Sequence, residues 1–477
     1  MNIVYLENGS LKLGPMITLA CGLQLLVVLD GLILTVALPD IQSALNLSAL
    51  TQSWLLGGYL VTFGGLLLLA ARLADHVGHR RIILSGLAIF VAASLIAGLA
   101  TNGVTMVIAR IAQGAGAAAL APASLSVLTR HFNADRRTRA LSIWSATSAA
   151  GGVLGLVLGG LITSTLGWRW VLLINVPIGV ALAIIATLVP GRHCEVRRLD
   201  IPGAIAVTLC AASATFAASQ LGVFGWTSPY VLIAAGTFAV MLFVAIAVER
   251  RSPSPLVNPR VVRRPGVIVG NTVLAAMGVI MTATTYFLSL YLQGVRGYPA
   301  WMTGLALGPM SVALGIGAIA SRKLMARFGA WRLLLPGSGL MSAGLLWLAT
   351  ITPHSGYISD ILGPTLIWGA GASIVTMPIV WIATAGVAVE DAGLASGLVN
   401  TSRQLGGALG LAALTALAAS VAHDSAAVDV VVDGYRVAFR AAAALAALIG
   451  ITAAFARRSV AADEATSAPP IRSTLEE

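Results

Sequence analysis

Residues 16–38 read MITLACGLQLLVVLDGLILTVAL, and Asp30 is the one charged side chain in this run. An α-helix rises about 1.5 Å per residue, so a run of this length crosses the roughly 30 Å hydrocarbon core of a bilayer. Similar apolar runs recur along all 477 residues, separated by short polar joints. A membrane strand needs only about ten residues, so helices fit this spacing and barrel strands do not. The chain is therefore predicted to be an all-α polytopic membrane protein.

The composition argues against other classes of protein. Hydrophobic residues make up 58% of the sequence and charged residues 10%, whereas soluble domains have roughly 45–50% and 25%. The net charge is +11, but the basic residues lie in the joints and form no contiguous face, so no nucleic acid partner is expected. Cys21 and Cys210 fall in apolar runs and Cys194 in a basic joint, which predicts no disulfide framework. The first apolar run is too long for the core of a signal peptide, so no cleavable leader is expected.

Hydropathy predicts fourteen membrane-spanning helices. The predicted ranges are 16–38, 52–71, 82–100, 104–127, 140–163, 169–189, 201–220, 229–248, 267–292, 301–321, 333–351, 360–382, 394–420 and 437–456. Of the 29 Lys and Arg residues, 23 fall on one side of this scheme, four on the other and two within spans. Cytoplasmic loops carry the excess of positive charge, so both termini are predicted to be cytoplasmic. The expected location is the bilayer of a bacterial inner membrane.

A weak internal repeat divides the chain into two halves. The joint at 72–78, RLADHVG, recurs as KLMARFG at 323–329. Three glycines of the fifth predicted helix have counterparts in the thirteenth at Gly406, Gly407 and Gly410. Internal repeats of this kind are typical of secondary transporters.

Without the seventh and eighth predicted helices, six predicted helices remain in each half of the chain. The predicted units are an N-terminal six-helix half at 1–199, two inserted helices at 200–250, a cytoplasmic linker at 251–266, a C-terminal six-helix half at 267–458 and a disordered tail at 459–477.

Three ionisable residues lie clearly within predicted spans: Asp30, Arg110 and Arg403. Each costs about 2.5–3.5 kcal/mol at a helix centre, so charged residues there are functional candidates. Asp30 and Arg110 both lie roughly 9–12 Å from the outer ends of their helices, whereas Arg403 lies roughly 12 Å from the inner surface. Asp30 is therefore hypothesised to pair with Arg110 and to carry a proton, because making or breaking the pair would change the proton affinity of the carboxylate. The alternative is a static salt bridge that pins the first and fourth helices.

The joint that follows the second predicted helix is a candidate cytoplasmic gate. It combines an acidic residue with basic ones around a glycine that permits backbone conformations other residues resist. The gate residues are Arg72, Asp75, Gly78, Arg80 and Arg81. The alternative is a joint that serves only to anchor the topology.

The fifth predicted helix is rich in glycine, and its G-x-x-x-G spacing allows close approach of another helix. Its glycines are Gly151, Gly152, Gly155, Gly159 and Gly160. Close packing that must come apart suits a fold that rocks between states, but packing without a role in switching is equally compatible with the spacing.

Polar and aromatic side chains within the spans are candidates for the lining of a central cavity. They are Gln113, Arg403, Gln404, Trp54, Tyr59, Tyr286, Trp368, Met377 and Trp381. For each aromatic and Met residue the alternative is contact with lipid or packing between helices. No G-x-x-x-x-G-K-[ST] loop, H-E-x-x-H motif or Cys/His cluster occurs in the sequence, so neither a metal nor a cofactor is expected. No nucleophile and base can be assembled either, and an enzyme is not expected.

Several segments resemble the major facilitator superfamily, and in particular its fourteen-helix drug:proton antiporter branch. Residues 71–81 resemble the loop motif G-x-L-a-D-r-x-G-r-r, and residues 110–116 resemble the fourth-helix motif R-x-x-q-G-x-g, whose Arg the family implicates in proton coupling. Residues 155–160 resemble the antiporter motif G-P-x-x-G-G, with Leu156 in place of Pro. Further stretches similar to this branch are 29–39, 168–179 and 400–407.

The resemblance implies alternating access, with a proton entering as a lipophilic compound leaves between the two halves. The expected partners are protons and a small organic substrate, and a monomer is expected. One rival reading is a dedicated exporter of an endogenous metabolite, a lipid or a self-made antibiotic. A rival of another class is a membrane sensor or assembly factor that transports nothing. The sequence leaves the substrate's identity and charge open.

Overall fold

The structure is a computed structural model in which the described residues are almost entirely helical. It describes residues 13–131, 134–188, 201–224, 228–251, 259–388, 391–422 and 427–467. No β-strand occurs within these ranges.

Long helices account for the spans expected from hydropathy. They are α1 (Leu13–Leu45), α2 (Ala49–Val77), α3 (His79–Gly98), α4 (Gly103–His131), α5 (Ala134–Leu166), α6 (Trp168–Leu173), α7 (Asn175–Leu188), α8 (Ile201–Phe224), α9 (Pro229–Arg251), α10 (Pro259–Val262), α11 (Pro265–Leu290), α12 (Ala300–Phe328), α13 (Ala330–Leu348), α14 (Gly363–Thr384), α15 (Ala392–Ala422) and α16 (Val428–Ser467). Single π-helical turns at Tyr291–Val295 and Ile358–Leu362 extend α11 and precede α14.

Each of the fourteen predicted spans falls on one of these helices, and the sixth falls on α6 and α7 together. In the described part of the chain, thirteen spans are long and apolar enough to cross a membrane. The helix α13 is not among them, because Arg332, Pro336 and several small polar residues lower its hydropathy. It nevertheless packs between α14 and α16 in the same bundle. The fold is that of a fourteen-helix membrane protein.

The last helix differs from the prediction at both ends. It begins at Val428 instead of 437, with Asp429 in its first turn, where a negative charge is favourable. It continues to Ser467, into the segment for which the sequence predicts a tail from 459. The continuation AADEA consists mostly of strong helix formers. Residues 468–477 lie outside the described residues.

The internal repeat is visible in the joints and in the glycine contacts. Gly78 ends α2 and begins α3 with φ 99°, and Gly329 does the same between α12 and α13 with φ 79°. A positive φ is strained for other residues, which explains why glycine occupies both joints. Gly151 packs against the side chain of Leu25, and its counterpart Gly406 packs against the backbone oxygen of Ala275. The pair α1 and α5 is therefore matched by the pair α11 and α15.

The halves meet along two seams, and α8 covers one of them. In the first seam α5 lies against α12, where Gly304 meets the backbone oxygen of Leu156. In the second seam α2 lies against α15, where Oγ1 of Thr401 donates to the backbone oxygen of Gly64 at 3.0 Å. The inserted α8 packs on both α2 and α15, with Ala211 in a cluster that joins the two.

The first seam carries an apolar groove on the outer face of α12. Its volume is about 770 Å³, and its walls come from α5, α12 and α14. The lining side chains Leu305, Val312 and Ile316 are 45–64% exposed. All of the lining side chains are apolar.

We expect that Gly406→Leu prevents the two helices of the C-terminal half from packing. A side chain at this position would run into the backbone of Ala275, which cannot move aside as a flexible side chain can. Overpacking typically costs about 1–3 kcal/mol. The yield of monodisperse protein, measured by fluorescence-detected size-exclusion chromatography, should fall severalfold.

The matched control is Gly339→Leu on α13, where open space surrounds the new side chain. That variant should give the yield of the unmodified chain. Equal yields for the two variants would contradict the close contact between α11 and α15.

Candidate functional site

A buried carboxylate lies at the centre of a polar cluster in the N-terminal half. Asp30 on α1 is 0% exposed, and three side-chain donors surround it. Its Oδ2 accepts from Nη1 of Arg110 at 2.8 Å. Its Oδ1 accepts from Nε2 of Gln113 at 2.7 Å and from Nδ2 of Asn175 at 2.8 Å. An ionised carboxylate only accepts hydrogen bonds, so this arrangement fits the charged form of Asp30.

Arg110 on α4 is equally buried and equally well held. Its Nε donates to the backbone oxygen of Leu55 on α2 at 3.1 Å, and its Nη1 also donates to Oε1 of Gln113 at 2.6 Å. Its guanidinium lies 4.3 Å from the ring centroid of Tyr59, a cation–π contact. A buried charge is tolerable when it is both paired and hydrogen-bonded, and Arg110 meets both conditions.

The cluster draws side chains from five helices. Nε2 of Gln113 also donates to Oγ of Ser94 on α3 at 2.8 Å, while Asn175 comes from the start of α7 and Tyr59 from α2. We call this group the buried polar cluster: Asp30, Tyr59, Ser94, Arg110, Gln113 and Asn175. Three of its atoms have no hydrogen-bond partner among the described residues: Nη2 of Arg110, Oη of Tyr59 and Oδ1 of Asn175. These atoms can take new partners if the five helices shift against one another.

The side chains of Asp30 and Arg110 lie 2.8 Å apart, as their similar depths along the two helices predicted. Two other predictions for this region are corrected. Gln113 and Tyr59 were candidates for the lining of a central cavity, but both are at most 2% exposed and belong to the buried polar cluster. Ser94 and Asn175 were not singled out by sequence reasoning. A polar Asn within the otherwise apolar run at 171–186 was the available signal for Asn175.

The C-terminal half contains an apolar counterpart of the cluster. The sequence GAGA at 114–117 on α4 recurs at 369–372 on α14. The contacts recur with it, because Gly116 packs against the backbone oxygen of Gly86 and Gly371 packs against that of Gly337.

By this register Arg110 and Gln113 correspond to Thr365 and Trp368. Gly155 on α5 contacts Leu29 on α1, and Gly410 on α15 contacts Val279 on α11. Ile280, which follows Val279, is therefore the counterpart of Asp30, which follows Leu29. Trp368 and Ile280 are both fully buried. The charged pair is therefore a feature of the N-terminal half alone, and Trp368 packs in the core instead of lining a cavity.

The candidate gate is only partly described. Gly78 adopts the positive φ that the joint requires, and Arg80 and Arg81 follow it at the start of α3. Arg72 lies near the end of α2 and has an interaction partner. The side chain of Asp75 lies outside the described residues, and the gate remains a prediction.

The glycines of α5 face two different neighbours. Gly151, Gly155 and Gly159 pack against α1. A Cβ placed on Gly159 would lie 2.7 Å from the backbone oxygen of Ile33. A Cβ placed on Gly152 would lie 3.7 Å from Cδ1 of Leu32, which is also on α1. Gly160 instead meets the backbone of Ala300 on α12. The glycine-rich helix thus holds α1 within its half and also forms the first seam.

Hydrogen bonds join the two halves at the end of the bundle opposite the joints at Gly78 and Gly329. They connect α1 and α2 with α11 and the π-helical turn that follows it. Oη of Tyr286 donates to Oε1 of Gln52 at 3.3 Å. Oγ of Ser289 donates to the backbone oxygen of Thr35, and Nε2 of Gln293 donates to that of Val36, each at 3.0 Å. We call this end the latched end, and the end with Gly78 and Gly329 the basic end. Tyr286 is therefore part of an inter-half contact.

Of three other candidate cavity residues, one packs against a neighbouring helix and two are exposed. Trp54 packs on Phe216 of the inserted α8, with ring centroids 6.3 Å apart. Met377 and Trp381 are 38% and 47% exposed. Trp381 follows Ile374 by two helical turns on the face of α14 that borders the apolar groove. The hydropathy of a span does not distinguish lipid-facing from cavity-facing aromatic residues.

The last two predicted cavity residues lie on α15. Gln404 packs against Gly64 in the second seam. Arg403 is exposed, and its Nη2 donates to Oδ1 of Asn400 at 3.0 Å. It lies in a different region from the buried polar cluster, as its depth predicted. Within the described residues no group of three or more His, Cys, Asp or Glu side chains is placed to hold a metal ion.

Comparisons with known proteins agree with this architecture. The family model of the Major Facilitator Superfamily matches residues 20–411. The chain is 41% identical to the cephamycin export protein CmcT of Amycolatopsis lactamdurans over 85% of each chain. It is 35% identical to the puromycin resistance protein pur8 of Streptomyces alboniger over 93% of this chain and 92% of the relative. It is 33% identical to the methylenomycin A resistance protein of Streptomyces coelicolor over 82% of each chain.

A solved structure shares the fold. A bacterial homologue of the human lysosomal transporter Spinster, in an inward-facing and unoccupied conformation, superposes with a TM-score of 0.67 at 17% identity. The superposition covers 96% of this chain and 99% of the other.

Proposed function

This chain belongs to the Major Facilitator Superfamily, and from that premise we propose that it exports small lipophilic organic compounds, antibiotics among them, in exchange for protons. The observation that carries the proposal is the fully buried pair of Asp30 and Arg110 in a membrane span. Ionisable residues at such positions mark proton and substrate pathways in transporters. The cephamycin export protein and the puromycin resistance protein support export as the direction of transport.

The proposed exchange uses the carboxylate of Asp30 as the proton carrier. In the arrangement described, Asp30 accepts three hydrogen bonds and is closed off from water. A shift of α1 against α4 and α7 opens the cluster and lets a proton reach Asp30. The neutral carboxylic acid no longer holds Arg110 by charge, which favours a different packing of the helices. Proton uptake and helix movement are thereby the same event.

The energy available is sufficient for export. One charge that crosses 100 mV contributes about 2.3 kcal/mol, which supports roughly fifty-fold accumulation of a neutral substrate. We place the basic end in the cytoplasm and the latched end outside, in a bacterial inner membrane, because most Lys and Arg residues lie at the basic end. The latched end then closes the pathway to the outside, so the cytoplasmic side is the one that receives substrate. A single chain holds the whole cluster and both seams, in keeping with a monomer.

The test is a drug-susceptibility panel in a bacterial host that lacks its own exporters. The panel contains a cephamycin, puromycin and methylenomycin A, each with and without a protonophore. We expect the chain to raise the inhibitory concentration of at least one compound about fourfold or more, and the protonophore to remove that protection. No protection against any member would contradict the proposal.

A second candidate is a dedicated exporter of one self-made antibiotic. The 41% identity to a cephamycin export protein favours it. Protection that extends to a single compound of the panel would support this candidate, whereas protection against chemically unrelated compounds would favour broad efflux.

A further inference from the structure

Arg403 faces the space between the two halves. On α15, Thr401 and Gln404 contact α2, Ser402 and Gly406 contact α11, and Leu398 and Leu405 pack in clusters with residues of α8. These contacts occupy three sides of the helix around Arg403, and α16 packs on α15 nearer the latched end, where Gly434 meets the backbone oxygen of Ala418. The fourth side, opposite α8, carries Asn400, Arg403 and Gly407 at intervals of three and four residues.

Gly407 locates this side within the molecule. A Cβ placed on it would lie 2.7 Å from Oγ1 of Thr282 on α11 and 3.5 Å from Cδ1 of Leu60 on α2. The fourth side therefore faces the space enclosed by α2 and α11, which belong to different halves. Arg403 lies one turn nearer the basic end. Its side chain is exposed on the side of α15 that Gly407 places between α2 and α11, so the guanidinium lies in a cavity between the halves and not in lipid.

Arg403 carries a positive charge that no carboxylate neutralises among the described residues. Its hydrogen-bond partner is the neutral amide of Asn400, 3.0 Å away. Asp30 is fully buried and bonded to Arg110, Gln113 and Asn175, so it is not available to Arg403. A cation retained in a membrane span at such cost faces a functional cavity. A guanidinium is also the side chain whose planar fork best matches a carboxylate or phosphate.

We propose that Arg403, positioned by Asn400, binds an acidic group on the transported compound, so that the preferred substrates are organic anions. This inference rests on the proposed export function and adds the charge class of its substrate. The buried carboxylate of Asp30 does not select the substrate, because it does not face the cavity. Exchange of one monovalent anion for one proton moves twice the charge that exchange of a neutral compound moves. An inside-negative membrane potential therefore drives the export of anions more strongly.

The test compares binding of matched acids and esters to the purified full-length chain in detergent, measured by isothermal titration calorimetry. The probes are a cephamycin and methylenomycin A, each as the free carboxylate and as the methyl ester. We expect at least one acid to bind about tenfold or more tightly than its ester. Arg403→Gln should remove this preference, and Arg403→Lys should retain part of it.

Two further variants separate recognition from folding. Arg332→Gln removes an exposed charge from α13 in the same half and should leave the acid preference unchanged. Asn400→Asp keeps Arg403 but places a carboxylate beside it, and should remove the preference as Arg403→Gln does. Thermal unfolding of each variant identifies any that misfold.

Three results would overturn the inference: equal binding of acid and ester, a preference that survives in Arg403→Gln, or no binding of any acid. These outcomes are separable from failure of the export proposal. A chain that protects cells against puromycin but binds no acid remains an exporter without an anion site.

Discussion

Replacing Asp30 with Asn is expected to abolish proton-coupled export while the protein still inserts in the membrane. The amide has nearly the same shape as the carboxylate and still offers an oxygen to Gln113 and Asn175, but it cannot take up or release a proton. The resistance conferred in the drug panel should fall to the level of cells without the chain. In proteoliposomes, addition of substrate should no longer cause proton movement, a change detectable with an entrapped pH-sensitive dye.

Exchange of labelled for unlabelled substrate at equal concentrations provides the control. That exchange needs the halves to rock but needs no net proton transfer, so Asp30→Asn should retain a measurable rate. A variant that still exports uphill with proton movement would show that Asp30 is a static salt bridge. Loss of both exchange and export, with an intact chromatographic profile, would point to a role in helix movement alone.

Replacing Arg110 with Met is expected to be the most destabilising single substitution in the buried polar cluster. It leaves the carboxylate of Asp30 buried without a counter-charge and removes the donor to the backbone oxygen of Leu55. Breaking one partner of a buried pair typically costs about 3–5 kcal/mol. The double variant Asp30→Asn with Arg110→Met removes both charges and should recover about half or more of that loss.

A double-mutant cycle measures this recovery. Unfolding of the single and double variants in mixed micelles with increasing SDS gives the free energy of unfolding for each. If the loss of stability in the double variant equals the sum of the losses in the two single variants, the pair does not act as a unit. The double variant should also fail to export, because neither charged group remains.

The absence of the pair from the C-terminal half bears on both predictions. The register set by the two GAGA segments places Thr365 and Trp368 where Arg110 and Gln113 lie in the other half. A charge introduced at Ile280 would have no partner there. The repeat supplies two similar scaffolds, but only the N-terminal one contains a group that can exchange a proton.

The sequence by itself determined which segments form membrane-spanning helices and how deep in the membrane each charged residue lies. Apolar length sets where a helix crosses the bilayer, because each uncompensated backbone group in lipid costs several kcal/mol. All fourteen predicted spans therefore correspond to helices. Depth follows from position along a helix at about 1.5 Å per residue, which is why Asp30 and Arg110 were expected to meet. Helical periodicity carried no comparable information, because spans that are apolar all round have no polar face to read.

Only the tertiary structure decided which way each side chain points. Tyr59 is buried over Arg110, whereas Trp381 and Arg403 are exposed, yet all three are polar or aromatic residues in apolar runs. Ser94 and Asn175 joined the cluster through contacts between helices far apart in sequence. In lipid, helix association depends on close packing and inter-helix hydrogen bonds and not on burial of apolar surface from water. The rotation of each helix about its axis is therefore set by its neighbours, which a single segment of sequence does not specify.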